Sequence, residues 1–173
     1  MKHQTVVLGA LFFSGVLLAV PLKGKTAKAE LVNAQGESVG SATLKSVRKG
    51  VKISLAVKDL PPGTHAMHIH AVGKCEPPDF SSAGPHFNPY HKMHGTKNPK
   101  GAHAGDLPNI VVGADGAVRV EVVAKDVTLG QGATSLFQPG GTALVIHADP
   151  DDEITDPAGN AGARIACGVI TAN

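Results

Sequence analysis

The chain has no tryptophan, one tyrosine and five phenylalanines, so aromatic residues make up only 3% of its 173 positions. It has no basic stripe, and its few aromatics are not interleaved with lysine or arginine, which excludes nucleic-acid binding. Helical periodicity is also missing. Outside the N-terminal segment no stretch sustains apolar residues at a 3.6-residue spacing. Cysteine is scarce: Cys75 and Cys167 are the only two, so only one pairing is possible. Neither lies near the N-terminus, which excludes a lipid-modified cysteine there. Acidic residues are absent from the first 29 positions, which hold Lys2, Lys23, Lys25 and Lys28. The formal charge of +2 comes from that segment, because elsewhere 12 basic residues face 14 acidic ones.

The segment "MKHQTVVLGALFFSGVLLAVPLKGKTAKAE" reads as an export leader. Lys2 is the charged start, Thr5 to Val20 is an apolar run, and Ala27-Lys28-Ala29 is a small-residue cleavage pattern. This predicts a signal peptide over 1–29 and a single domain over 30–173. The rival is an uncleaved anchor, since no charged residue stands between Lys2 and Lys23, a length able to span a bilayer. Membrane association follows only from the rival. Either way the domain is expected outside the cytoplasm, whether secreted, periplasmic or surface-associated, where a disulfide persists.

The body reads as β structure, and its 21 glycines and 12 prolines suit many turns between short strands. Strands are expected at "KAELVN" (28–33), "SVGSATLKSV" (38–47), "GVKISLAVKDL" (50–60), "THAMHIHAV" (64–72), "TALVIHA" (142–148) and "ARIACGVI" (163–170). "NIVVGADGAVRVEVVAK" (109–125) reads as two strands hinged on Asp115-Gly116, a hairpin signal. About eight strands and no helices indicate an antiparallel sandwich or barrel. Two connections, near 73–108 and 149–162, are too long for ordinary turns, and such loops are usually functional or disordered.

The first of these connections and the strand before it hold most of the chain's histidines. Seven of nine lie between His65 and Asn109. His68 and His70 are two apart on an expected strand, so both imidazoles can meet one ion. Alone, such a pair is more often two surface histidines of a hairpin. His86, His94 and His103 follow, with Asp106 three residues after the last. Three imidazoles and a carboxylate are a common four-coordinate set for zinc. His147 ends another strand and alone would be a solvated strand end. Six histidines with Asp106 are too many for one tetrahedral ion and about right for two.

The motifs "HAMHIH", "SAGPHFNP", "HG" eight residues after His86, "HAGDLPN", "VIHADPDD" and "GNAGARIACGVI" together resemble the copper/zinc superoxide dismutases. The resemblance covers residues 30–172. It implies an eight-stranded antiparallel Greek-key sandwich or barrel with two long functional loops. It also implies copper at His68, His70, His86 and His147, and zinc at His86, His94, His103 and Asp106, with His86 bridging the two. Cys75 would pair with Cys167. Arg164 would stand beside the copper and guide the superoxide anion, and Asp151 would link the far nitrogens of His68 and His94. His65 would be a structural histidine bonded to backbone. His91 and His3 have no counterpart and are read as solvent-facing. The family includes dimers and monomers, so a homodimer is left open.

The sequence also departs from the resemblance. Cys75 lies eleven residues before His86, farther than in the animal enzymes, so the path of the disulfide loop differs. Ala158 and Pro157 stand where many members have a channel threonine and some a lysine, and Asp152, Glu153 and Asp156 lie nearby, which weakens the expected steering. The competing function is a copper- or zinc-binding protein without turnover. What separates the two is whether all four copper positions are filled, and here they are. A structural or adhesive sandwich with incidental histidines would need a coincidence at seven positions.

Overall fold

The structure, a computed structural model, describes residues 25–173, so the first 24 residues of the expected leader lie outside it. Ten strands run in chain order: β1 (Thr26–Asn33), β2 (Ser38–Val47), β3 (Gly50–Val57), β4 (Gly63–His65), β5 (Met67–His70), β6 (Ile110–Val112), β7 (Val118–Ala124), β8 (Ala143–His147), β9 (Arg164–Val169) and β10 (Thr171–Ala172). The one helical turn among the described residues is the 3-10 turn Ser81–Ala83. All strand pairs are antiparallel, as expected.

Strand alternation builds the core. In β3, Val51, Ile53, Leu55 and Val57 are buried while Lys52, Ser54 and Ala56 face outward. In β1, Ala27, Ala29 and Leu31 are fully buried. Each valine, leucine or isoleucine side chain fully removed from water contributes roughly 1.5–3 kcal/mol, and an alanine methyl roughly 0.8 kcal/mol. The expected boundary between residues 29 and 30 therefore falls inside a built strand. Thr26 to Ala29 pair with Lys45 to Ala42 of β2, and Ala27 and Lys28 pair with β10. β1 begins at Thr26.

The large sheet runs β5-β8-β9-β1-β2-β3-β7, with β10 also on β1, and β4 and β6 form a separate pair. Two expectations are corrected here. The single strand expected over 64–72 breaks at Ala66, whose N–H donates to the Asp149 carbonyl and whose carbonyl accepts from His147 N–H. Its first half pairs with β6 and its second with β8, so the chain turns a corner between sheets. The expected hairpin over 109–125 keeps its turn, closed by Gly113 N–H to Ala117 O at 2.9 Å. Its arms, however, do not pair with each other: β6 goes to β4 and β7 to β3. Both departures have one cause. The margins of the curled sheet, β7 and β5, are joined through β6 and β4, and a closing barrel needs strands that change sheets.

Candidate metal centre

β5 is the edge on which the centre is built. Met67 and Ile69 point into the core, and the alternate residues His68 and His70 point away from it, both fully or nearly fully buried. The loop from Gly73 folds back along the free edge of β5. Phe87 N–H donates to Ile69 O, Ile69 N–H to Gly105 O and Gly105 N–H to Phe87 O, each at 2.8 Å. This laces His86 beside His70 and Asp106 beside His68. Only glycine fits at 105, because a Cβ there would collide with the Ile69 carbonyl. His147 arrives from the end of β8, just after a register shift.

Two donor sets result. The ligand atoms of His68, His70, His86 and His147 all lie within 4.8 Å of one another, as do those of His86, His94, His103 and Asp106. His86 belongs to both. In the second set three Nδ1 atoms converge on Asp106 Oδ1, from His86 at 3.0 Å, His94 at 3.1 Å and His103 at 3.2 Å. The other carboxylate oxygen accepts from the backbone N–H of Gly95 and His103.

The first set has no anion of its own. His70 Nδ1 donates to the Gly84 carbonyl and His147 Nδ1 approaches that of Gly162. Carbonyls only accept, so the proton of each neutral ring sits on Nδ1. The two Nε2 atoms then face each other as lone pairs 3.3 Å apart. His68 Nδ1 and His86 Nε2 are buried without any partner. Four lone pairs aimed at one point are unfavourable without a cation and suit one well. Burial keeps the rings neutral, holding His70 down to about 2 and His86 and His147 to about 4, and lowering His68 as well.

The loop behaves otherwise. Burial opposes charge on His94, but its hydrogen bonds to Asp106 and Asp151 outweigh that and raise it to about 9. Asp151, brought by the second long loop, holds both sets: Oδ2 accepts from His68 Nε2 at 2.8 Å and Oδ1 from His94 Nε2 at 2.9 Å. Burial favours its neutral form, yet these bonds hold the carboxyl well below the usual range, and the same balance applies to Asp106.

The family model for copper/zinc superoxide dismutase matches residues 38–170. The chain belongs to the copper/zinc superoxide dismutase family. It is 56% identical over 172 residues to superoxide dismutase (Cu-Zn) 1 of Aquifex aeolicus, covering 98% of this chain and 99% of that one. It is 53% identical over 171 residues to superoxide dismutase (Cu-Zn) 2 of the same organism, covering 98% of each. A crystal structure of a SOD-like protein from Bacillus subtilis is 44% identical, with a TM-score of 0.81, and is matched over 83% of this chain and 97% of that one. Copper and zinc are the cofactors of this superoxide dismutase family, and the donors fit. Imidazoles suit copper, and three imidazoles with a carboxylate suit zinc.

The remaining residues fall into place around the dismutase centre. Cys75 and Cys167 form a disulfide with a Cα–Cα distance of 5.6 Å, tying the first loop to β9. Arg164 lies across from His147 in the β8–β9 ladder. Its guanidinium donates to the carbonyls of Phe80 and Gly84, in the loop segment just before His86. His65 is buried, its ring nitrogens on the carbonyls of His147 and Pro61. His91 is exposed, and His3 lies outside the described residues.

Sequence reasoning missed several supports. Asn109 clamps Asp151, accepting from its N–H at 2.8 Å and donating to its carbonyl at 2.9 Å. Asp156 accepts from His94 N–H at 2.6 Å. Gly159 makes room for Asp151 and His94, which a Cβ there would strike. Asn109 closes the motif "HAGDLPN" and was within reach of the sequence. Asp156 carried no signal, being one acid among several in its loop.

Proposed function

We propose that the protein converts two superoxide anions and two protons to one dioxygen and one hydrogen peroxide. In this reading copper is held by His68, His70, His86 and His147, and zinc by His86, His94, His103 and Asp106. Copper supplies a one-electron couple that imidazoles accommodate in both oxidation states, and zinc supplies a fixed positive charge. The carrying observation is the position of His86, with Nδ1 on Asp106 and Nε2 buried without a partner on the other side. That Nε2 is the atom suited to take a proton and pass it on when superoxide is reduced. Arg164 has five N–H donors, of which two are fixed on carbonyls, so its charge is held in place to attract and orient a small anion. Loading the purified protein should give about one copper and one zinc per chain. Activity in a xanthine-oxidase superoxide assay should follow copper content and vanish on chelation. Full occupancy of both sites without turnover would sink the proposal and leave a metal-binding protein of the same fold.

We place the protein outside the cytoplasm, a reading supported by its disulfide. An export segment then precedes the domain, and the cut falls before Thr26, since a start at Glu30 would strip the buried Ala27 and Ala29 from β1. Intact mass of the exported protein tests this, and a mature start at Glu30 would refute it.

A further inference from the structure

We propose that Phe80 is the positioning residue for Arg164, and that its buried ring, not the disulfide, holds the carbonyl grip on the guanidinium. The proposal rests on the dismutase reading above, in which Arg164 guides the anion.

Arg164 is gripped by a single turn. Phe80 precedes the 3-10 turn Ser81–Ala83 and Gly84 follows it, and their carbonyls accept from Nη1 and Nη2 of Arg164. The Gly84 carbonyl also accepts from Nδ1 of His70 at 2.8 Å. One short turn therefore sets the guanidinium against the strand-borne histidines, and a shift of the turn moves the charge relative to them.

The two ends of the turn are held differently. The far end is laced by backbone to the continuation of β5, with Val72 N–H donating to Ala83 O at 3.0 Å and Ala71 N–H to Pro85 O at 2.8 Å. The near end finds backbone partners only in its own loop. Phe80 N–H donates to Glu76 O at 3.1 Å, and Phe80 O accepts from Ala83 N–H at 3.0 Å. What ties this end to the barrel is the side chain. Phe80 is fully buried and clusters with Ala143 and Val145 of β8 and Cys167 of β9. Those two strands carry His147 and Arg164, so acceptor and donor are fixed to one frame.

The backbone at Phe80 bears the same mark. Its φ of 54° and ψ of 25° are left-handed, a region that bulky residues rarely occupy. Burial of an aromatic ring is among the larger gains a side chain can make and offsets that cost. The disulfide joins the loop farther upstream. Cys75 lies five residues before Phe80, and Glu76 to Asp79 between them are all exposed.

The test measures how well Arg164 is held. The copper- and zinc-loaded protein is treated with phenylglyoxal, an arginine reagent, and each site is quantified by peptide mapping. Arg48 and Arg119, the only other arginines, are exposed and serve as internal references. In the parent, Arg164 should react more slowly than either. Phe80→Ala should raise its reactivity toward theirs while both metals are retained. The same variant should lower kcat/KM by up to about 10-fold, the loss expected of Arg164→Ala, and flatten its dependence on ionic strength. Phe80→Leu keeps a buried apolar side chain and should stay near the parent. Val32→Ala trims the same cluster from β1 and should change neither reading. Cys75→Ala removes the disulfide and should leave Arg164 as protected as in the parent, an arm that decides the matter even where Phe80→Ala fails to fold. Parental reactivity of Arg164 in Phe80→Ala overturns the proposal. An equal rise in Cys75→Ala also overturns it and makes the disulfide the anchor, and an equal rise in Val32→Ala overturns it as general loosening. Arginine reactivity is read without turnover, so failure of this proposal and failure of the dismutase reading show separately.

Discussion

The two halves of the metal centre are held in different ways. His68, His70 and His147 stand on β5 and β8, whose ladder places them whether or not an ion is bound. His94, His103 and Asp106 stand on a loop, and what gathers them is one carboxylate oxygen facing three imidazoles. The strand-borne half has an excess of lone pairs, and the loop-borne half has its own anion and a protonated histidine. The difference shows how one small barrel presents both a donor set fixed by strands and a donor set gathered around its own carboxylate.

The sharpest way to break the comparison is His86→Ala, because His86 is the one residue both halves share. Activity should fall by more than about 100-fold, beyond the roughly 10–100-fold typical of losing a group behind a ligand. Metal analysis should show both ions held less tightly. Unchanged zinc content would mean that the loop half does not need the bridge.

Asp151→Asn comes next. Asn retains the size but loses the charge and one acceptor, so zinc affinity should drop by about 10–100-fold, with copper less affected because the strands hold its ligands. Asp152→Asn is the control, since Asp152 serves only its own loop through Ile154, Thr155 and Asn160. A chelator competition that finds equal zinc affinity in the two variants would remove Asp151 from the bridge between the halves.

Arg164→Ala should keep both metals while lowering kcat/KM by about 10-fold and flattening its dependence on ionic strength, superoxide dismutases being themselves a known example of such steering. A rate and salt profile like those of the parent would end the guidance role.

The smallest effect separates the halves by pH in the metal-free protein. His70, His86 and His147 have folded values of about 2, about 4 and about 4, below their ordinary 6.5. The unfolded chain therefore binds protons first, and their contribution is lost as pH falls below about 6.5. His94 is raised to about 9, so its contribution is complete below 6.5 and is lost as pH rises through 9. The urea midpoint of chelated protein should peak near about 7, decline from there to about 9 as the His94 contribution is lost, and decline below about 6.5 as the unfolded chain takes up protons. The alkaline fall should shrink in Asp151→Asn and persist in part, because Asp106 is the larger cause of the raised His94 value and Asp151 the second.

Much of this was legible in the chain. His68 and His70 share a face because strand side chains alternate, a rule that acts over two residues. Six histidines with Asp106 were already too many for one tetrahedral ion, a reading of donor number that needs no fold. The family motifs implied the disulfide and the Asp151 bridge, and both arrangements are present in the fold. Ala27 and Ala29, read from the sequence as a small-residue cleavage pattern, also fill the buried face of β1, so one local pattern carries two meanings.

Residue type, count and short-range periodicity sufficed for the β class, the metal-binding donor types and the one possible cysteine pairing, and the family motifs implied which donors share an ion and that the disulfide forms. The tertiary structure alone decided that the 64–72 segment turns a corner at Ala66, that the arms of the Asp115-Gly116 turn join different sheets, and that Asn109 and Asp156 secure the centre from 42 and 62 residues away. Those outcomes depend on how a curled sheet closes on itself, and closure is a property of contacts between segments that carry no local mark of one another.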